Sequence, residues 1–259
     1  MPHRIQMLVA AALLGACSAG SMGLDSGVLL SGGFTRTTNP FSAAAYRYDA
    51  GSGQWTLVGD MLHVRVVHTA TLLRDGRVLV AGGLSCCHEA SPTLDFYESS
   101  AEIYDPSTDK FTATGSLSAA RGNHAAALLP DGRVLIAGGN GNDPAAPPLG
   151  TEIFDPATGQ FTSGGDLRQP RDSHAAVALT DGRILVIGGE VPPEVSGVVG
   201  VGATATEIFD PATGRWSAGP HLDEAFYAAT VTLLSNGKVL VFGGQDAGGA
   251  PQAAAALFE

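Results

Sequence analysis

The chain has 259 residues, with 35 Gly, 15 Pro and only 15% charged residues, and no stretch carries a sustained apolar period of 3.6 in helix-forming residues. That composition excludes a helical bundle and predicts an all-β chain rich in turns. Twenty-five acidic residues against 14 Lys and Arg give a formal charge of -11, a field that repels phosphate backbones and anionic membrane surfaces, so nucleic acid is not expected as a partner.

In chain order, the opening segment MPHRIQMLVAAALLGACSAG places Arg4 ahead of an apolar run from Ile5 to Ala16. The run is too short to cross a bilayer as a helix of about 20 residues and reads as a signal peptide over residues 1–17. Its end, Leu14-Gly15-Ala16-Cys17, resembles the lipobox of bacterial lipoproteins. The resemblance implies acylation of Cys17 and a lipid anchor in the cell envelope, with Ser18 compatible with sorting to an outer membrane. Several acyl chains anchor stably where one binds only marginally. The alternative is an ordinary cleaved signal that leaves a periplasmic or secreted protein; both readings export the chain. Residues 18–26 read as a short linker.

From residue 27 onward one unit recurs five times, near 27–60, 61–116, 117–166, 167–221 and 222–259. Each copy holds a short apolar strand closed by two glycines: Val28 to Gly33, Val78 to Gly83, Val134 to Gly139, Ile184 to Gly189 and Val239 to Gly244. Four are preceded by a tight turn, Asp75-Gly76-Arg77, Asp131-Gly132-Arg133, Asp181-Gly182-Arg183 and Asn236-Gly237-Lys238. Asp-Gly and Asn-Gly between apolar runs are strong hairpin signals. Downstream come Tyr48-Asp49, Tyr104-Asp105-Pro106, Phe154-Asp155-Pro156 and Phe209-Asp210-Pro211, each followed six residues past the Asp by an aromatic, Trp55, Phe111, Phe161 and Trp216. The unit is thus four short antiparallel strands, represented in the second copy by a (His68 to Leu73), b (Val78 to Ala81), c (Glu102 to Asp105) and d (Lys110 to Thr114). The glycine pair lets neighbouring backbones approach where the sheet bends, and the aromatics fill space between units.

A four-stranded unit of this length, with Gly-Gly after strand b and an aromatic in strand d, resembles the kelch repeat, and the resemblance covers Gly27 to the C-terminus. It implies a β-propeller of antiparallel kelch blades, like the central domain of galactose oxidase. The first copy lacks a strand a outside the signal region and the fifth stops inside strand c. Either the ring has five blades with imperfect closure, or the chain is an incomplete part of a larger propeller; a second chain that completes the propeller is a further alternative.

In such a meander the a–b and c–d turns share one face, while the b–c and d–a loops share the other. The b–c loops, Phe34 to Ala45, Leu84 to Ala101, Asn140 to Thr151 and Glu190 to Thr206, vary freely, and variable loops on a rigid scaffold are where binding residues sit. On the same face Arg65, Arg121 and Arg171 each stand three residues before His68, His124 and His174. Two readings apply. The arginines converge on an anionic ligand, as the kelch resemblance implies, or each Arg and His satisfies polar groups within its own repeat. The last copy departs from the pattern, with Glu224 and Tyr227 read in the Arg and His places and two extra residues before Asn236. Cys86 and Cys87, followed by His88 and Glu89, read as a loop feature rather than a metal site. Asn140-Gly141-Asn142-Asp143 and Gln245-Asp246 offer oxygen ligands but read as turn residues.

No Gly-rich phosphate loop, Ser-His-Asp spacing or zinc helix is present. The copper-radical sugar oxidases that share this fold need a Tyr joined to a Cys. Here Tyr48 and Tyr104 occupy the repeated position, leaving Tyr46, Tyr97 and Tyr227, and the Cys pair lies in a loop. A sialidase-like hydrolase, which the arginines and Glu224 suggest, has a Ser-x-Asp-x-Gly box that this chain lacks. The expectation is a non-enzymatic surface module that binds protein or carbohydrate through the b–c and d–a loops, without catalytic residues, metal or cofactor.

Overall fold

The computed structural model describes residues 27–33, 41–85, 96–143, 148–191, 201–245, 250 and 255–258. Among them there is no helix, and every strand pairing is antiparallel. The all-β reading therefore holds. The predicted signal peptide and lipobox around Cys17, the linker, the Cys86-Cys87 pair and Asp246 lie outside the described residues.

The first sheet is β1 (Gly27–Ser31), β2 (Ala44–Asp49) and β3 (Gln54–Asp60). The second is β4 (Thr69–Leu72), β5 (Val78–Ala81), β8 (Ala101–Asp105) and β9 (Lys110–Ala113), with a small hairpin, β6 (Leu84–Ser85) and β7 (Phe96–Tyr97), between its second and third strands. The third is β10 (Ala125–Leu128), β11 (Val134–Ala137), β12 (Gly150–Asp155) and β13 (Gln160–Asp166). The fourth is β14 (Ala175–Ala178), β15 (Ile184–Ile187), β18 (Ala205–Asp210) and β19 (Arg215–His221), with the hairpin β16 (Glu190–Val191) and β17 (Val201–Gly202) at the matching place. The fifth is β20 (Thr230–Leu233), β21 (Val239–Phe242) and β22 (Ala255–Phe258).

Local chemistry sets these elements. At each a–b turn a glycine takes positive φ, 93° at Gly132 for example, a conformation that costs other residues. The preceding Asp131 accepts the main-chain N–H of Arg133 at 3.0 Å, and the same bond recurs at Asp75, Asp181 and Asn236. At the c–d turns Asp49, Asp105, Asp155 and Asp210 each accept a main-chain N–H two or three residues on, the Asx turn that short acidic side chains favour. Across each of these turns two aromatics meet in register, with ring centroids 4.9–5.2 Å apart for Tyr48–Trp55, Tyr104–Phe111, Phe154–Phe161 and Phe209–Trp216.

The sheets pack face on face in chain order. β4 lies beside β10, β10 beside β14 and β14 beside β20, while at the opposite edge β3 lies beside β9 and β13 beside β19. Each sheet has a leading face toward its predecessor and a trailing face toward its successor. Between the second and third sheets, Leu79, Ala81 and Ile103 of one trailing face meet Val134, Ile136 and Phe154 of the next leading face. The same alternation packs the first sheet on the second, the third on the fourth and the fourth on the fifth.

Candidate functional site

The loops entering β4, β10 and β14 carry the Arg-x-x-His segments, and the Gly-Gly doublets make the seat for them. Both glycines of every doublet have positive φ. A Cβ on Gly138 would fall 2.5 Å from the carbonyl oxygen of Arg171 and 2.6 Å from Cε1 of His174, and one on Gly139 would fall 2.9 Å from Cβ of His124. The first glycine thus admits the next repeat's Arg carbonyl and His ring, and the second admits its own repeat's His. The second glycine also ties repeats together: the N–H groups of Gly33, Gly83 and Gly139 donate to the carbonyls of Arg65, Arg121 and Arg171 at 2.8–3.0 Å. A further ladder joins the loops just before β4, β10, β14 and β20, Asn123 N–H to Val67 O, Ser173 N–H to Asn123 O and Ala228 N–H to Ser173 O, through residues that all have φ of 50–53°.

Arg65, Arg121 and Arg171 are fully buried. Arg121 donates through Nη2 to Glu152 at 3.0 Å and through Nη1 to the carbonyls of Gly138 and Gly150 at 3.1 and 2.9 Å. Arg171 repeats the arrangement with Glu207, Gly188 and Ala205, and Arg65 with Glu102, Gly82 and Ser100. The second oxygen of each glutamate accepts a main-chain N–H from the d–a loop, that of Leu62, Ser118 or Arg168, at 2.7–2.8 Å. Each Arg–Glu pair therefore clamps the d–a loop to strand c of the same sheet. Of the two readings drawn from the sequence, this geometry supports the one in which each arginine is satisfied within its own repeat. Burial pulls the Arg121 and Arg171 guanidinium groups down from their ordinary range and the glutamates pull them back. The glutamates themselves are missed by the sequence reading, although Glu-Ile-Tyr/Phe-Asp recurs at 102–105, 152–155 and 207–210.

The histidines are buried and neutral. His68 Nε2 pairs with Ser31 Oγ at 3.0 Å and His124 Nε2 with Thr69 Oγ1 at 2.9 Å, both across to the preceding sheet. His174 finds Ala125 and Ala137 at the matching places, and neither of its ring nitrogens has a hydrogen-bond partner of ordinary geometry, although main-chain groups of Ala137 and Arg171 slightly favour its charged form. Burial, with the neighbouring arginine adding, pushes His68 and His174 down to about 3 and His124 well below its usual range.

The fifth repeat corrects the alignment of Glu224 and Tyr227. The carbonyl that meets the Gly188-Gly189 doublet belongs to Phe226, with Gly189 N–H donating to it at 2.7 Å. Phe226 holds the Arg place and Ala229 the His place, and Phe226 precedes Asn236 by ten residues, as Arg171 precedes Asp181. No residues are extra; the missing charges misled the alignment. Glu224 is exposed, two residues before the seat, and Tyr227 takes the place of Val66, Gly122 and Asp172.

That place is where the repeats diverge. Isolated bridges pair Val66 with Leu84, Gly122 with Asn140, Asp172 with Glu190 and Tyr227 with Gln245. One side is apolar, with Phe41, Val66 and Leu84 packed together. The other is a polar network drawn from four repeats. Asp172, buried, accepts the Ser173 hydroxyl at 2.8 Å and a side-chain bond from Asn140. Burial raises its carboxyl to about 6, with Glu190 adding to the rise. Asn140 also bonds the Tyr97 hydroxyl, which burial pushes up, with Asp172 and Tyr227 near enough to contribute. Asn142 fixes Tyr97 from its other side, accepting its N–H at 2.7 Å and donating to its carbonyl at 3.1 Å. The Tyr97 ring lies over Gly122, where a Cβ would fall 2.9 Å from it. Asp172 carries no signal in the sequence, since its neighbours in the repeat are valine and glycine.

Among the described residues no group of three or more His, Cys, Asp or Glu side chains is placed to hold a metal ion. In comparison with known proteins, the chain matches no family model and no curated protein.

Proposed function

We propose that the chain is a kelch-type β-propeller that works as a non-enzymatic binding or scaffold module at the cell envelope, taking protein or carbohydrate on the face of its b–c and d–a loops. The observation that carries this reading is the Tyr97–Asn140–Asp172 network with Glu190 and Tyr227. Unlike side chains from four repeats meet at one spot, while the arginines common to the repeats are consumed internally. Tyrosine rings offer apolar faces and the carboxylates and amides offer hydroxyl-directed hydrogen bonds, the mixture that a polar ligand needs. Face-on-face sheets whose inner strands are neighbours support the propeller part of the reading.

The test is binding of the purified chain to an oligosaccharide array and to isolated envelope proteins, repeated with Tyr97→Phe and Asp172→Asn. A ligand held by the parent and weakened about tenfold, roughly 1.4 kcal/mol, in both variants, with both still folded by circular dichroism, is the expected result. Undiminished binding in both variants would remove the network from the site.

A further inference from the structure

The isolated bridges that follow the Gly-Gly doublets set one pair of side chains directly opposite each other, and in the fourth repeat that pair is two carboxyls. Asp172 N–H donates to Glu190 O at 3.1 Å and Glu190 N–H to Asp172 O at 2.9 Å. This is the two-bond exchange of an antiparallel pair, in which like charges directly opposite are destabilising. The second repeat builds the same bridge without charge: Val66 and Leu84 exchange their bonds at 2.8–2.9 Å and pack against Phe41. Both bridges run on into a small hairpin, β6–β7 after Leu84 and β16–β17 after Glu190. The second hairpin rests on the d–a loop of the fifth repeat, since a Cβ on Gly202 would overlap that of Ala225, two residues before Tyr227. Ala203 N–H, donating to Gly189 O at 2.8 Å, closes its other side.

We infer that the Asp172–Glu190 bridge is a proton-operated switch: it stays closed while Asp172 carries a proton and opens as that proton leaves to solvent, loosening the β16–β17 hairpin from the d–a loop of the fifth repeat. The surroundings of Asp172 offer its charge no counterion. On its own segment the Arg171 guanidinium is committed to Glu207 and His174 is neutral, while the Ser173 hydroxyl donates to it. Across from it stand Glu190, the Asn140 side chain and the Tyr97 hydroxyl, with Tyr227 beside Tyr97. None of the groups acting on the Asp172 carboxyl is a cation, and burial with Glu190 holds it up at about 6. The closed bridge therefore binds a proton that the opened one, with its carboxyl in water, gives up, and opening is favoured as pH rises. The buried neutral histidines act the other way and loosen the fold toward acid. The switch uses residues of the proposed binding spot but does not rest on a ligand being taken there.

Amide hydrogen exchange of the ligand-free full chain, resolved by NMR and corrected for intrinsic rates, tests this between about pH 4.5 and about pH 7.5. The reporters are the N–H groups of Asp172, Glu190 and Ala203, and those of Val66 and Leu84 are the uncharged counterpart. Protection at the three reporters is expected to fall about tenfold or more as pH rises, one unit of relieved shift being tenfold, while Val66 and Leu84 keep or gain protection. Asp172→Asn is expected to abolish the fall and Glu190→Gln to reduce it, with circular dichroism as the folding control for both. Protection that is flat or rises with pH in the parent overturns the inference, as does a fall that persists undiminished in either variant or appears equally at Val66 and Leu84. Exchange is read on the free chain, so a failure to bind oligosaccharide or envelope protein leaves the switch standing and the two readings fail separately.

Discussion

The second, third and fourth sheets and the fifth form the same inter-repeat seat with different chemistry. In the first three, a buried Arg–Glu pair holds the d–a loop. In the fifth, Phe226 takes the arginine's place within an apolar cluster of Leu222, Ala229, Val231 and Val241, and Ala256, paired with Val241 as Glu102 is with Val80, takes the glutamate's. The first sheet, which has no arginine segment among its described residues, carries Tyr46 at the glutamate position. Both members of the pair are absent together. What the repeats share is the main-chain carbonyl that reaches the preceding repeat's Gly-Gly doublet, supplied by Arg65, Arg121, Arg171 or Phe226 alike. The side chain is exchangeable as a pair but not singly, because a buried charge without its partner is costly while an apolar replacement of both is not.

Removing one partner of the pair has the largest expected effect. Arg121→Met leaves Glu152 buried and uncompensated, and a loss of about 3–5 kcal/mol is expected in urea unfolding. Combining it with Glu152→Leu, which imitates the fifth repeat, is expected to restore most of that loss; a double variant no better than the single would show that the clamp is not a pair. The next effect separates strain from contact. Gly138 and Gly243 have φ of 63° and 69°, but only Gly138 has the next repeat against it. Gly243→Ala should cost only the left-handed conformation, about 1 kcal/mol, and Gly138→Ala should cost more than about 2 kcal/mol because backbone must move. Equal costs would mean that the doublets serve φ alone.

Much of this was legible in the sequence because it repeats. The Asp-Gly turns, the Tyr/Phe-Asp turns and the aromatic six residues on placed the strands within a residue or two, since each signal rests on main-chain geometry that recurs with the residues. The site was not. Arg65, Arg121 and Arg171 look like a ligand set in one dimension, and only the positions of Glu102, Glu152 and Glu207 two strands away show their charges to be spent. In the fifth repeat Phe226 and Ala229 preserve backbone roles without the residue types that advertise them, so Glu224 and Tyr227 took their places in the alignment. The Asp172 network is assembled from single positions in different loops, and nothing along the chain marks long-range convergence of that kind.

The histidines extend the comparison to pH. His68 and His174 have folded values of about 3 against an ordinary 6.5. The unfolded chain therefore binds more protons between those limits, and stability falls as pH drops through 6.5. Asp172 acts oppositely: its carboxyl is raised from 3.8 to about 6, so the native state binds the extra proton and that contribution fades as pH rises across the same interval. His174→Ala is expected to flatten the acid limb of a stability–pH curve by up to about 1.4 kcal/mol per pH unit, and Asp172→Asn to steepen it between about 4 and 6. An acid limb unchanged by His174→Ala would mean that its ring already has access to solvent protons in the native state.

The smallest effect concerns the opposite end of the sheets, where the a–b turns also carry repeated Arg–carboxylate pairs. Arg133 meets Asp131 at 2.7 Å, with side-chain exposures of 37% and 46%, and Arg77 and Arg183 do the same with Asp75 and Asp181. These distances are shorter than the 3.0 Å of the buried Arg121–Glu152 pair, yet the surrounding water already solvates both charges and salt screens them. Arg133→Ala should therefore change stability by no more than about 0.5 kcal/mol, and any change should shrink at high ionic strength. The fifth repeat again supplies the natural contrast, with Asn236-Gly237-Lys238 forming the same turn on a neutral acceptor. A loss at Arg133 approaching that at Arg121 would mean that pair geometry, rather than burial, sets the worth of an ion pair in this chain.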